Sequence, residues 1–263
     1  MSDAEHEGER PQPAPAKPRR AAAPTLRGWL KELAIVLVGA LIVSTLTRAF
    51  VAQMFVIPSG SMENTLAVGD RVIVQKMFEF KRGDIVVFRD PAGWLDIPPP
   101  AQGPLDDVLV FIGLKPDEST NYLIKRVIGL PGDRVACCDK QGRLTVNASA
   151  IDESSYLYSD EFGNALPSDF AFDVTVPTDR VFVMGDHRNA SRDSRCHLSD
   201  VTPGQPVGSA AFVPRTAVLG TAVAVVFPFS HWHTFATPEA FANVPQGDPA
   251  PAQAVISPAG INC

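Results

Sequence analysis

The chain has 263 residues, 45% of them hydrophobic and 20% charged. It is therefore long and apolar enough for a real core, and too weakly charged to be disordered throughout. A formal net charge of −6, with no stretch that interleaves aromatics with lysine or arginine, excludes a general nucleic-acid binder, which needs a basic footprint.

In chain order, residues 1–28 are rich in proline and alanine, acidic first and basic later, and read as a flexible tail. Residues 29–50, WLKELAIVLVGALIVSTLTRAF, carry no charge from Leu33 to Thr47 and reach the roughly 20 residues that a bilayer requires. Lys31 and Arg48 lie near the ends, where long side chains snorkel to the interface. The continuity of the apolar run disfavours the alternative, a buried helix of a soluble domain. Lys17, Arg19, Arg20 and Arg27 precede the span, and only Arg48 follows it before Arg71. The positive-inside rule thus predicts a cytoplasmic N-terminus and an extracytoplasmic remainder. A cleaved signal peptide has a shorter apolar core and a small-x-small exit, so this segment is read as a retained single-pass anchor.

Beyond the anchor come short β-type runs: DRVIVQKM (70–77), GDIVVF (83–88), NYLIKRVIGL (121–130), GDRVACC (132–138), RLTVN (143–147) and RVFVMG (180–185). Their alternation and close spacing predict a mainly β protein, with an antiparallel β-sheet catalytic domain over 51–236, rather than βαβ units. Insertions are expected at about 89–120, which holds the triplet Pro98–Pro100, and at about 138–178, a smaller inserted β region. The apolar run 217–229 is too short for a second span, and its β-branched content suits a strand. From 237 to 263 the Pro/Ala/Gln composition predicts a disordered tail. Cys137, Cys138, Cys196 and Cys263 lack the spacing of a zinc site. In an oxidising compartment Cys137 or Cys138 could pair with Cys196, with free thiols as the alternative.

Residues 56–66 read VIPSGSMENTL, a composition that by itself indicates only a turn. If Ser61 is a nucleophile, it needs a general base. His187, His197, His231 and His233 lie downstream, but the G-x-S-x-G elbow of the Ser…Asp…His order is missing. The other familiar orders place His or Asp before Ser. The alternative base is a neutral lysine, whose pKa near 10.4 must fall by several units through desolvation. Lys125 is the candidate: it stands in an apolar strand beside Leu123, Ile124, Val127 and Ile128, and period-2 alternation puts Leu123 and Val127 on its face. The plain alternative is a strand lysine that points to solvent. A third segment, MGDHRNASRDSR (184–195), packs Ser191, Ser194, three arginines and two aspartates among turn formers. It could supply a hydroxyl that orients the lysine, or be a solvated charged loop.

Together these segments resemble the bacterial type I signal peptidases, membrane-anchored Ser/Lys enzymes that remove signal peptides from exported proteins. FVIPSGSMENTL resembles the serine box, DRVIV and KRGDIVVF the strands that follow, IKRVIGLPGD the lysine box, and GDHRNASRDSR the last box. They occur in the family's order, and the resemblance covers roughly residues 28–232.

The resemblance implies that Ser61 attacks the scissile carbonyl and that neutral Lys125 takes its proton, oriented by Ser191. The Ser61 N–H and the Ser59 hydroxyl would hold the oxyanion, and Arg126, Asp186, Asp193 and Arg195 would support the site. The peptide would add as a strand beside residues 54–57 and 122–124. Phe55, Ile57, Met62, Leu123 and Ile124 would then line shallow pockets for alanine-sized side chains. No metal or cofactor is implied. The implied partners are signal peptides of secreted preproteins, the lipid bilayer of the plasma membrane and nearby export machinery, with no nucleic acid.

Three departures bear on loop geometry and substrate preference: Glu63-Asn64 where many members carry proline before Thr65, His187 where asparagine is frequent, and Asn189 where aspartate is frequent. Two other readings compete. One is a relative of the soluble Ser/Lys self-cleaving repressors, which the anchor and the acidic charge oppose. The other is an anchored β-rich scaffold, in which Ser61→Ala would leave function intact.

Overall fold

The structure, a computed structural model, describes residues 25–91, 93–95, 103–106, 110, 121–160, 163 and 165–257. Most of the first tail and of the 89–120 insertion, together with Cys263, therefore lies outside the described residues.

Helix α1 runs from Leu26 to Phe50. It begins three residues before the expected start because Thr25 caps it, its Oγ1 accepting the Gly28 N–H at 3.2 Å. None of its residues is buried, and among the described residues it is the one helix long and apolar enough to cross a membrane. The chain divides into two compact units, residues 1–41 and 42–263.

The second unit is built on two antiparallel sheets, as the run spacing predicts. The larger comprises β1 (Ala52–Val56), β2 (Arg71–Gln75), β3 (Ile85–Arg89), β4 (Tyr122–Gly129), β9 (Arg180–Met184), β10 (Val213–Pro214), β11 (Val218–Phe227) and β12 (His233–Thr234). Its order is β1-β2-β11-β3-β4-β9-β10, with β12 paired to β11, so the apolar run at 217–229 is a central strand. The smaller sheet comprises β5 (Arg134–Cys137), β6 (Thr145–Val146), β7 (Ser149–Ala150), β8 (Phe172–Thr175) and β13 (Val255–Ser257), in the order β13-β8-β5-β6-β7. Every pairing described in either sheet is antiparallel.

Strand β3 shows why its own apolar run is continuous rather than alternating. Ile85 and Val87 pack into one cluster with Phe55, Ile57, Met62, Leu66 and Ile124. Val86 and Phe88 pack into another with Trp94, Val127, Val181 and Val183. A strand covered on both faces has no polar side to show. A third cluster takes Ile128 from β4, Val135, Leu144, Phe172 and Phe182, and so joins the smaller sheet to the larger.

Two sequence expectations are corrected here. The disorder expected from residue 237 onward does not hold for 238–257. Phe241 is buried against the third cluster, with Val244, Ala254 and Ile256 packed partly against it. The Asn147 amide donates to the Pro245 carbonyl at 2.8 Å, the Thr178 N–H donates to Pro251 at 2.9 Å, and β13 covers the edge of β8. The contact at Gly132 is close enough that an added Cβ would lie 2.0 Å from the Asp248 carbonyl oxygen, at a φ of +87°, so glycine is required there. Composition missed this segment because a few well-placed apolar side chains and one edge strand hold an otherwise polar stretch. The second correction concerns the cysteines: Cys137 is bonded to its neighbour Cys138, so neither is bonded to Cys196. Spacing in sequence carries no information on which sulfurs meet.

Candidate active site

Strand β1 ends at Val56, and Ser59, in extended conformation, leads into a single 3-10 turn, Gly60–Met62. Ile57 and Met62, both buried, pin this turn to the core on either side of Ser61. The Glu63 N–H closes the turn on the Gly60 carbonyl at 2.9 Å, and the Thr65 N–H bonds Met62 at 3.0 Å. Asn64 holds a φ of +77°, a left-handed conformation that asparagine tolerates and proline cannot adopt. Its side chain donates to the Leu157 carbonyl at 3.1 Å. The asparagine departure thus marks a turn of different local geometry from one built on proline.

Lys125 stands in the middle of β4, paired with Val86 of β3. Its side chain is not in solvent: the residue is 3% exposed, and Nζ lies 2.5 Å from Ser61 Oγ. No carboxylate lies within ion-pair distance of it among the described residues. Burial therefore lowers its pKa from 10.5 to about 8, against the opposing pull of Asp193 and then Asp186, and with a smaller lowering from Arg195. The result is a lysine with an appreciable neutral fraction near neutral pH, its lone pair next to a serine hydroxyl.

The last box wraps the same two residues. Gly185 lies so close that an added Cβ would be 2.2 Å from Ser191 Oγ and 2.4 Å from the Ser61 carbonyl oxygen. Only glycine lets this backbone reach Ser61, and it brings the His187 N–H to the Ser61 carbonyl at 3.1 Å. Ser191 donates to Asp193 Oδ2 at 2.8 Å. No hydrogen bond joins it to Lys125 among the described residues, but its oxygen keeps lone pairs free to accept.

Asp193 also accepts from the Gly185 N–H at 2.9 Å and from Arg195 Nε and Nη2, each at 2.9 Å. Burial pushes its pKa up, but the Arg195 charge and these hydrogen bonds prevail and hold it below the ordinary carboxylate value. Arg126, beside the lysine, forms a buried two-bond pair with Asp186 at 2.8 and 2.6 Å, and Thr65 Oγ1 donates to the same carboxylate at 2.5 Å. All four expected supporting residues are thus brought together under the Ser61–Lys125 pair.

Sequence reasoning missed the second tier of this scaffold. Arg188 is buried, pairs with Glu153 at 2.5 Å, and donates to the Gly185 and Pro167 carbonyls. Arg188 stands in the quoted loop, but Glu153 comes from a segment without periodic signal, and only the fold joins them. Of the remaining expected residues, Ser59 is exposed and makes no capping hydrogen bond. Phe55, Ile57, Met62 and Ile124 share one cluster, and Tyr122 touches the Phe55 ring at 5.2 Å. Leu123 is set apart, packed in the cluster of Phe88 and Trp94. Neighbours along a strand point to opposite faces, so Leu123 and Ile124 cannot line one pocket on one face. Among the described residues, no group of three or more His, Cys, Asp or Glu side chains is arranged to hold a metal ion.

The family model for signal peptidase, peptidase S26, matches residues 29–227, a stretch that contains most of the helix, Ser61, Lys125 and the last box. The chain belongs to this family. Signal peptidase I of Mycobacterium tuberculosis is 35% identical over 250 residues, covering 88% of this chain and 82% of that protein. A probable signal peptidase I of Mycobacterium leprae is 36% identical, covering 80% of each. Signal peptidase I of Bacillus licheniformis is 32% identical, covering 77% of this chain and 89% of its own length. A crystal structure of a signal peptidase I from Enterococcus faecalis V583 matches 55% of this chain at 21% identity, with a TM-score of 0.29. Membership of the signal peptidase family identifies the chain as a peptidase, and the apolar helix α1 agrees with membrane anchoring.

Proposed function

We propose that this protein is a membrane-anchored serine endopeptidase that removes N-terminal signal peptides from exported preproteins, with Ser61 as nucleophile and neutral Lys125 as general base. The observation that carries the proposal is the 2.5 Å approach of Lys125 Nζ to Ser61 Oγ in a buried site with no ion-pair partner among the described residues. A lysine kept there only for stability would have a carboxylate partner, because an unpaired buried ammonium is costly.

In this mechanism Lys125 takes the Ser61 hydroxyl proton as Oγ attacks the scissile carbonyl. The Ser61 N–H and the Ser59 hydroxyl stabilise the oxyanion. Lys125 then passes its proton to the departing amine, leaving an acyl-enzyme on Ser61. Water attacks that ester with Lys125 again as base, and the signal peptide leaves with a free carboxylate. Ser191 accepts a hydrogen bond from Nζ and keeps the lone pair aimed at Oγ. Asp193 and Asp186, near enough to oppose the lowering of the lysine pKa, steady the ammonium that exists between the two proton transfers. Strand β1 lies at the end of the larger sheet, so its free edge can take an extended peptide as an added strand. Phe55, Ile57, Met62 and Ile124 then offer apolar contacts for small side chains before the cut.

Helix α1 serves as a single-pass anchor in the plasma membrane. The N-terminal tail is cytoplasmic and the site faces outward, where precursors leave the export machinery. The cationic residues before the apolar run, Lys17, Arg19, Arg20 and Arg27, support this orientation.

The test uses the full chain in detergent and a synthetic precursor with alanine at the first and third positions before the cut, with product masses to locate cleavage. Wild type is expected to cut after the second alanine, while folded Ser61→Ala and Lys125→Met are inactive. Full activity in either variant, or an inert wild type, would overturn the proposal and leave the anchored-scaffold reading.

A further inference from the structure

His187 is a departure from the residue frequent in the family, Glu63 stands next to another, Asn64, and in the structure His187 and Glu63 meet. His187 Nδ1 lies 2.8 Å from Glu63 Oε2 and 3.2 Å from the Gly60 carbonyl oxygen. A carbonyl only accepts, so Nδ1 carries the hydrogen and donates it to Gly60, with the Glu63 carboxylate beside the same N–H as its charged neighbour. The imidazole is stacked on Tyr158 with ring centroids 3.9 Å apart, which fixes its plane. The His187 main chain is tied to the same turn through its N–H to the Ser61 carbonyl at 3.1 Å. Glu63 in turn folds back over the nucleophile turn: an added Cβ on Gly60 would lie 2.7 Å from its Oε1.

The Gly60 carbonyl and the Ser61 N–H belong to one peptide group. In a planar trans peptide the two point in opposite directions. Holding the Gly60 oxygen toward His187, together with the Glu63 N–H at 2.9 Å, therefore aims the Ser61 N–H the other way. That N–H has no backbone acceptor among the described residues, as expected of a donor kept free for substrate.

We propose that Glu63 and His187 act as a positioning pair: Glu63 fixes the imidazole tautomer, and the imidazole locks the Gly60–Ser61 peptide so that the Ser61 N–H faces the developing oxyanion. This rests on the reading of Ser61 as nucleophile. Neither side chain touches the reacting atoms. The gain lies in orientation made before the substrate arrives, where a misaimed donor forfeits part of the stabilisation that an oxyanion hole provides.

The experiment compares His187→Phe, His187→Asn and Glu63→Gln with wild type in the full chain in detergent. Phenylalanine keeps a ring against Tyr158 and removes the donor, whereas the asparagine amide keeps a donor near the Nδ1 position and removes the ring. On the synthetic precursor, His187→Phe is expected to lower kcat about tenfold or more with KM within about twofold. It should weaken inhibition by a peptide aldehyde, whose adduct with Ser61 presents an oxygen to the same donor, by a similar factor. His187→Asn should recover kcat to within about threefold of wild type, and Glu63→Gln should fall between. Thermal unfolding of each variant separates misfolding from misaiming.

Wild-type kcat in His187→Phe overturns the pair, as does equal loss in His187→Asn and His187→Phe, which would mark ring packing or general disruption. Ser61→Ala, run alongside, separates the two levels. If it is inactive while His187→Phe is fully active, only the positioning role falls. If it remains active, the nucleophile assignment falls and takes this proposal with it.

Discussion

If neutral Lys125 is the base, raising the pH across its titration should switch the enzyme on. Activity needs the deprotonated form, and burial lowers the pKa from 10.5 to about 8, so kcat/KM should rise with pH and level off above that value. With a pKa of about 8, roughly one lysine in eleven is neutral at pH 7; at 10.5 the figure would be about one in 3,000. Burial is thus worth a factor of about 300 in active enzyme at neutral pH, the same 2.5-unit difference expressed as a population.

The assay is cleavage of the synthetic precursor by the full chain in detergent from pH 5.5 to 10.5, at substrate well below KM so that the free enzyme is titrated. The expected profile climbs tenfold per pH unit below 7 and bends near 8. A bend at 10 or above would describe a solvated lysine and refute the burial argument. A bend near 6.5 would point to an imidazole and replace Lys125 as base.

Two further outcomes concern the scaffold. Arg126→Ala leaves the buried Asp186 carboxylate without its two-bond partner, so urea unfolding should show a loss of about 3–5 kcal/mol; a loss under about 1 kcal/mol would mean that the site tolerates an unpaired charge. Phe241→Ala empties a buried position where residues 238–257 meet the third cluster, and should cost about 3–5 kcal/mol. If it costs almost nothing, those residues do not hold the C-terminal stretch in place.

The sequence by itself determined whatever depends on near neighbours along the chain. An uncharged run of sufficient length makes α1, and short apolar runs between turn formers make antiparallel strands. Ser61 and Lys125 were legible because the surrounding boxes come in a recognisable order, not because either residue is unusual locally. Strand periodicity alone could not decide whether Lys125 points to solvent, because that depends on a serine 64 residues earlier in the chain. The docking of 238–257 also needed the fold, as did the separation of Leu123 from the other apolar residues expected at the site. The same holds for Arg188 with Glu153 and for His187 with Glu63. Each joins groups that are distant in sequence or lie in segments without periodicity. Propensity and patterning act over a few residues, whereas desolvation, charge pairing and close packing depend on what the finished fold brings within a few ångströms.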